Sequence, residues 1–483
     1  MSMFNGALPI VAVVAEFAAR VIVAAVILVR SRGTPAVRLA WLVVVFALPV
    51  VGIVAYLLVG EVRFGRRRAR RHRQIAERIT VQHVARVLKP PPSDAIVLEE
   101  HRQVAHLAES VGGNRPHGGH EMRLFGDTDL FIQALVEDIE HAQAHCHLEF
   151  YIFLADHSGT RVAEALTRAA GRGVACRVLV DGVGSQAFLR SDLRRSMEAE
   201  GVRVVEALPA SLLRLAFARI DLRNHRKVAV IDGAIGYCGS QNIADAEFAI
   251  KPRYAPWVDA MVRLQGPAVR DLQVLFVQDW YLDTDESLED LLAISPAPSP
   301  EGAVVQIVGT GPAAYNEALR QMTQASFHAA REELILTTPY FVPDVATVSA
   351  LYTTARRGVE TTLVVPARND SPVVAAASRS YYEPLLDAGV RVHEYQQGLL
   401  HAKTLTLDRC LALVTTANLD RRSFELNFEV SLVVYDTDFA SELRLLQKSY
   451  IDGSTAVSEP AWKRRGWPTK LLQNGAGMLA PLL

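Results

Sequence analysis

The chain is predicted to be an α/β protein of two similar halves behind membrane-embedded helices, and three observations predict it. A His-x-Lys-x4-Asp stretch occurs twice; short apolar runs alternate with helical periodicities from Glu121 onward; two apolar stretches open the chain. At 483 residues there is room for two or three domains with ample cores. The net charge of -1 separates no function classes. Cys146, Cys176, Cys238 and Cys410 lie far apart in apolar runs, which argues against a disulfide framework and predicts reduced, buried thiols in a domain facing the cytoplasm.

Taken in order, residues 7–29 are apolar apart from Glu16 and Arg20, and residues 39–59 carry no charge. Crossing the hydrocarbon core takes about 20 such residues. Residues 1–60 are therefore expected to form a hairpin of two transmembrane helices, the second spanning despite Pro49. Glu16 and Arg20 stand four apart, so on a helix they can pair and offset part of the roughly 2.5–3.5 kcal/mol a lone charge costs at mid-bilayer. This favours a span over a re-entrant segment, and a cleaved signal peptide is disfavoured because no Lys or Arg precedes the run. Arg30, Arg32 and Arg38 flank the turn, while Arg63, Arg66, Arg67, Arg68, Arg70, Arg71 and Arg73 follow the second stretch. The larger cluster places both termini in the cytoplasm, against anionic head groups. A solvated linker and a nucleic-acid patch are the other readings of those arginines.

Residues 61–120 read as a basic juxtamembrane and helical linker, with Ile75, Ile79, Val84, Val87 and Leu88 at helical spacing and a stiff proline spacer at 89–92. A first α/β domain is expected over 121–284, an acidic and proline-rich connector over 285–302, and a second domain over 303–483. Strands at 122–125, 147–153, 175–180 and 202–206 alternate with helices at 130–141 and 160–171, the pattern of a largely parallel sheet. Residues 211–219, with Leu213, Arg214, Phe217 and Arg219, read either as a buried strand or helix or as an interfacial lip for lipid entry.

The chemistry is concentrated in residues 224–232 and their echo at 400–408. In each, a histidine and a lysine two apart open an apolar run that ends in aspartate: His225, Lys227 and Asp232, then His401, Lys403 and Asp408. On a strand, residues i and i+2 share a face, so imidazole and ammonium point together. Such a pair suits phosphate, with charge from the lysine and an imidazole able to attack phosphorus or move a proton. Two copies allow one histidine to be nucleophile and the other general acid. A metal centre is disfavoured, because a cation flanks each histidine and the sequence has neither HExxH nor a Cys/His cluster.

These residues resemble the phospholipase D superfamily, whose signature is H-x-K-x4-D-x6-G-S-x-N. The first copy matches as His225, Lys227, Asp232, Gly239, Ser240 and Asn242. The second keeps His401, Lys403, Asp408 and Asn418, with Thr415 and Thr416 in place of Gly and Ser. Threonine retains the hydroxyl but not glycine's backbone freedom. With the N-terminal hairpin, its Arg-rich exit, the run from Asn418 to Glu429 and the end at 478–483, nearly the whole chain is similar to bacterial cardiolipin synthases of the phospholipase D type.

The resemblance implies two phospholipase D-like α/β sandwich halves, related by a pseudo-twofold axis and meeting at one site. It implies transfer of a phosphatidyl group between two phosphatidylglycerol molecules, with His225 attacking phosphorus and His401 serving as acid and then base. Lys227, Lys403, Asn242, Asn418, Ser240 and Thr416 would bind or orient the phosphate, and Asp259 and Glu429 would orient the imidazoles. Asp232 and Asp408 complete the catalytic motifs, tying down turns or pairing with cations. Arg379, Tyr381 and Tyr382 read either as a glycerol site or as a half-buried helix face, and Arg421 and Arg422 as phosphate ligands or surface residues. No cofactor or metal is implied. The implied partners are phosphatidylglycerol and anionic membrane lipids, not nucleic acid, with a homo-oligomer left open. The implied place is the bacterial inner membrane, multi-pass, with the catalytic domains in the cytoplasm. A hydrolase using water, a nucleic-acid phosphodiesterase and an inactive membrane scaffold are the alternatives.

Overall fold

The computed structural model describes residues 4–29, 35–60, 97–209, 221–248, 250–294, 296–312 and 317–480, with 70–72, 74, 75 and 77–79. The chain divides into two compact units, Met1–Arg66 with Ala210–Leu222, and Arg67–Pro209 with Arg223–Leu483.

In the first unit, helix α1 (Phe4–Val29) is an unbroken 26 residues, about 39 Å at 1.5 Å per residue, enough to cross a bilayer. Arg20 Nε and Nη2 each donate to the Glu16 carboxylate at 2.6 Å, the pairing expected from their spacing. The second apolar stretch differs from expectation, because it is split into α2 (Pro35–Ala47) and α3 (Val51–Val59). Pro49 has no N–H to donate and its ring crowds the preceding turn, and Val50 adopts a φ of 57°. The chain then doubles back. The rings of Trp41 and Tyr56 meet edge to face with centroids 5.6 Å apart, whereas in one straight helix their Cα atoms would stand about 22 Å apart. A Cβ at Gly52 would lie 2.3 Å from the Val44 carbonyl oxygen, so the return needs glycine there. Among the described residues, one helix is long and apolar enough to span.

Among its described residues the second unit holds twenty strands. The first half contributes β1 (His117–Phe125), β2 (His145–Phe150), β3 (Ala175–Asp181), β4 (Arg203–Ala207), β5 (Arg223–Asn224), β6 (Lys227–Ile231), β7 (Ile235–Gly239), β8 (Trp257–Val258) and β9 (Met261–Gln265). The second half contributes β10 (Ala303–Thr310), β11 (Glu333–Thr337), β12 (Phe341–Val342), β13 (Glu360–Pro366), β14 (Arg391–Tyr395), β15 (Leu399–Leu400), β16 (Thr404–Leu407), β17 (Leu411–Thr415), β18 (Leu419–Asp420), β19 (Asn427–Tyr435) and β20 (Ser454–Ala456).

The main sheet runs β20-β14-β13-β11-β16-β17-β19-β10-β1-β9-β7-β6-β2-β3-β4. Read outward from the β10–β1 seam, the two sides repeat the same order, which is the two-half architecture expected from the duplicated motif. The sheet is not largely parallel. Parallel pairing within it is limited to β2-β3-β4, β11-β13-β14 and the short β5 added off this path beside β19. The motif strands β6 and β16 form antiparallel hairpins with β7 and β17, because the tight turns at Asp232 and Asp408 send the chain straight back. The pseudo-equivalent helices α4 (Val269–Thr284) and α5 (Thr437–Asp452) press Val269, Leu272 and Leu275, and Phe439, Ala440 and Leu443, into one cluster with Val228, Val230, Ala412 and Val414. That shared core sits directly behind the motif strands.

Ile75 and Ile79 are buried against Phe276, Val277 and Trp280. The acidic connector is packed rather than extended, since Glu286 accepts from Trp280 Nε1 at 2.7 Å and from Arg177 at 3.1 Å. Arg71 donates to the Leu282 carbonyl and pairs with Asp285. The 211–219 stretch (lip or buried element), the spacer at 89–92 and Arg63, Arg66, Arg67, Arg68 and Arg73 lie outside the described residues.

Candidate active site

Each motif enters the site through a two-residue strand that pairs with the other half. β5, ending at Asn224, runs parallel to the start of β19, with Asn427 opposite Arg223 and Phe428 opposite Asn224. β15, ending at Leu400, runs parallel to β8, with Trp257 opposite Leu399 and Val258 opposite Leu400. His225 N donates to the Phe428 carbonyl at 2.9 Å and His401 N to that of Val258 at 2.7 Å. Each histidine thereby lies beside the residue one step further along the partner strand, which is the acid of the opposite half.

The acids are exchanged between the halves. Glu429 accepts from His225 Nδ1 at 2.9 and 3.0 Å, and Asp259 accepts from His401 Nδ1 at 2.7 Å. Each acid is steadied by the hydroxyl of its own half, Ser240 donating to Asp259 and Thr416 to Glu429. Ser240 and Thr416 therefore bind carboxylates here. With Nδ1–H so engaged, Nε2 of each imidazole carries the free lone pair.

Lys227 Nζ donates to the His225 carbonyl and Lys403 Nζ to that of His401, both at 2.6 Å. Burial pulls Lys227 down to about 8 and Lys403 to about 7, and the two ammonium groups oppose each other at Lys403. Burial likewise lowers both histidines to about 4, against the pull of Glu429 on His225 and of Asp259 on His401. Burial opposes ionisation of the two acids, yet His401 and Lys403 beside Asp259, and His225 and Lys227 beside Glu429, hold both below the usual carboxylate range. Without substrate, the site thus has two neutral imidazoles over two ionised acids and two depressed lysines.

An anion between the lysines would raise both values, so binding should weaken as pH rises through the free-site values near 7 and 8. Below those values both lysines are already charged and affinity should be flat. Tungstate, whose charge is constant over this range, is expected to lose affinity by up to tenfold per pH unit for each lysine titrating. Calorimetric titrations from pH 6 to pH 9 check this; a flat profile refutes it.

Asn242 Oδ1 accepts from Ile152 N at 3.0 Å. Asn418 differs from its counterpart, because its Nδ2 faces Asp420 at 3.3 Å and its buried Oδ1 has no partner among the described residues. Thr415 occupies the glycine position with no positive φ, and its hydroxyl donates to the Val430 carbonyl and meets Ser431 Oγ at 2.8 Å. The turn does not require glycine, because the space that Ala260 and Met261 fill around Gly239 is taken here by a hydrogen-bonded side chain.

Asp232 and Asp408, placed among the catalytic residues from the motif, lie away from the histidines. Asp232 takes three backbone N–H groups, those of Gln143, Ala144 and His145, at 2.7–2.8 Å. Asp408 takes those of Arg331, Glu332 and Glu333 at 2.8–2.9 Å. Five residue steps along the strand, about 17 Å, separate each from its lysine. Both sit at turns with φ near 50° and staple them to the start of the neighbouring strand. Asp232→Ala is expected to cost about 1–2 kcal/mol of stability, because the part-buried N–H of His145 loses its acceptor while those of exposed Gln143 and Ala144 turn to water, with the turnover of folded protein within about threefold of the parent. Denaturant unfolding beside active-site-normalised rates checks this.

Arg379 donates to Glu394 and the Ala367 carbonyl, Tyr382 is buried with its hydroxyl on Glu394, and Tyr381 donates to the Pro343 carbonyl, so all three are held by the scaffold. Arg421 pairs with Glu425 at 2.8 Å. Arg422 favours ionisation of Tyr151 and Asp420 electrostatically, on the His225 side.

Sequence reasoning did not single out Arg226, Asp279 and Glu149. Arg226 is buried, pairs with Asp279, and donates to the carbonyls of Glu429 and Thr310 at 3.2 Å, locking the two halves together. Asn224 bridges Glu149 and Asp279, and Glu149 is pushed well above its usual value by burial and by Asp279. The only clue was that Arg226 stands where the second motif has Ala402. Tyr151 lies edge-on to His225 at 4.9 Å, and Trp257 lies against His401 at 4.6 Å. A Cys/His cluster does form in space, with His101 Nε2 3.0 Å from Cys410 Sγ and Glu100 beside it, but none of the three belongs to this site.

The family model described as "Cardiolipin synthase, PLD-like domain" matches residues 135–280 and 324–448, and one described as "Phospholipase_D-nuclease N-terminal" matches residues 21–61. The chain is 37% identical over 472 residues to cardiolipin synthase A of Edwardsiella ictaluri, covering 95% of each chain. It is also 37% identical over 471 residues to that of Serratia proteamaculans, with the same coverage. Its fold is similar to that of the phosphatidylserine synthase of Haemophilus influenzae, with a TM-score of 0.61 at 15% identity over 79% of this chain and all of that one. Paired motifs exchanging their acids across one seam, a membrane-type N-terminus and near full-length identity above one third converge on one statement: this chain belongs to the cardiolipin synthase family of phospholipase D-like proteins.

Proposed function

We propose that this protein makes cardiolipin by moving a phosphatidyl group from one phosphatidylglycerol to the hydroxyl of a second, releasing glycerol. The observation that carries this reading is the exchange of acids, Glu429 on His225 and Asp259 on His401, which makes the two motifs a single site. His225 Nε2 attacks phosphorus and the P–O bond to glycerol breaks, the departing oxygen taking a proton from His401 Nε2. The acceptor hydroxyl then gives its proton to His401 and displaces His225, so one phosphodiester replaces another and no nucleotide is consumed. His401 is neutral in the empty site, and the incoming phosphodiester anion favours its protonation. Lys227, Lys403 and Asn242 hold the non-bridging oxygens. Asn418, whose Nδ2 faces Asp420, joins them by turning its amide.

The chain is anchored in a bacterial membrane, with its catalytic unit on the Arg-rich, cytoplasmic side. Purified protein given labelled phosphatidylglycerol, with and without a chelator, is expected to yield cardiolipin and glycerol in both. Phosphatidic acid as the product identifies a hydrolase, and cleavage of added DNA identifies a nuclease.

A further inference from the structure

The last described helix, α6 (Trp467–Met478), is inside out for a soluble domain. Trp467, Leu471, Leu472, Met478 and the following Leu479 are 76%, 65%, 66%, 82% and 46% exposed, while Gln473 is 6% exposed. At 100° per residue the five apolar side chains fall within an arc of about 140°. The opposite face packs inward through Gln473, which accepts from Arg465, and Gly477, where a Cβ would lie 2.6 Å from Ser380 Oγ. A contiguous apolar face of this size on a folded domain marks an interaction site.

We infer that α6 lies in the head-group layer of the bilayer, apolar face down, as a second attachment of the catalytic unit. The chemistry of its surroundings fits lipid. Of the cations near it, Lys463 pairs with Asp387 and Glu459, and Arg465 and Lys470 pair with Glu383, so the apolar face carries the attachment: tryptophan is a residue of membrane interfaces, and amphipathic helices with such a face lie in the interface plane. The same chain already carries a span-length helix, so a bilayer is always within reach of the tether.

The test uses full-length protein in vesicles of phosphatidylglycerol and phosphatidylethanolamine, with an environment-sensitive fluorophore on Leu471→Cys or, as control, on the exposed Asp192→Cys. Blue-shifted emission quenched by spin-labelled lipid at 471 and not at 192 is expected. An unquenched label at 471 overturns the inference, as does a 471-to-471 cross-link between copies without lipid quenching. Only the activity arm rests on the proposed lipid substrate. Leu471→Asp with Leu472→Asp is expected to lower turnover of bilayer phosphatidylglycerol about tenfold and leave that of a short-chain monomeric analogue unchanged. Equal loss on both indicates a purely structural helix and overturns docking.

A second inference rests on the break at Pro49. We infer that α2 and α3 enter and leave the same leaflet, so that among the described helices α1 alone crosses. At 13 and 9 residues, about 20 and 14 Å, neither helix crosses a core about 30 Å thick, and the Trp41–Tyr56 contact makes them a hairpin. The ten arginines between 30 and 73 then all share one side, whereas two spans would strand Arg30, Arg32 and Arg38 opposite the rest. In spheroplasts, a membrane-impermeant maleimide is expected to label Asn5→Cys from outside and Thr34→Cys only after lysis. The reverse pattern restores two spans and overturns this topology.

Discussion

Glu429→Gln is expected to slow turnover by about 10⁴-fold while leaving the fold intact, on the scale seen when an orienting carboxylate becomes an amide. The side chain keeps its size and its place beside His225 Nδ1. What it loses is the charge that fixes the tautomer. A glutamine that turns its NH₂ toward Nδ1 makes that nitrogen an acceptor, moves the proton to Nε2 and removes the lone pair that attacks phosphorus. The exchange of acids makes the prediction directional. Because Glu429 serves His225, Glu429→Gln should abolish the burst of leaving group from phosphatidyl-p-nitrophenol, whose departure needs no general acid. Because Asp259 serves His401, Asp259→Asn should keep that burst and lose the following turnover. Stopped-flow release of nitrophenol separates the two variants, and matching effects on the burst would refute the assignment of His225 as nucleophile.

The second large effect is expected from the histidines. His225→Ala and His401→Ala should each reduce cardiolipin formation by at least about 10⁴-fold, and the double variant should be no slower than the worse single one. Groups that act as a unit in one reaction are strongly non-additive, whereas two independent sites would leave each single variant with about half of the parent rate. Labelled phosphatidylglycerol gives the rates, and recovery of a lipid-linked protein from the His401→Ala variant alone would place the covalent bond on His225. Undiminished turnover in His401→Ala would make the second motif a degenerate relic.

Much of this was legible in residue types and spacing. Histidine and lysine two apart share a strand face whatever the fold around them, and the echo at 401 and 403 announces a second half. The pairing of Glu16 with Arg20 and the helical stripe of Ile75 and Ile79 follow from local geometry in the same way. Sheet direction did not follow, because an apolar five-residue run reads alike in parallel and antiparallel pairing. The turn at Asp232 decides it, through backbone groups 87 to 89 residues away. Pro49 was compatible with a kinked span as well as with a reversal, and the Trp41–Tyr56 contact and the close approach of Gly52 to Val44 decide for reversal.

The amino-acid order alone therefore marked two sets of histidine and lysine placed two apart, because that spacing lives within a few residues. Which acid serves which histidine was settled only by folding: the partners are 204 and 142 residues apart, and the strands that bring them together cross between the halves. The same holds for the inverted face of α6 and the buried cation of Arg226. A side chain's burial and its partners belong to the packing of distant segments, which no local pattern encodes.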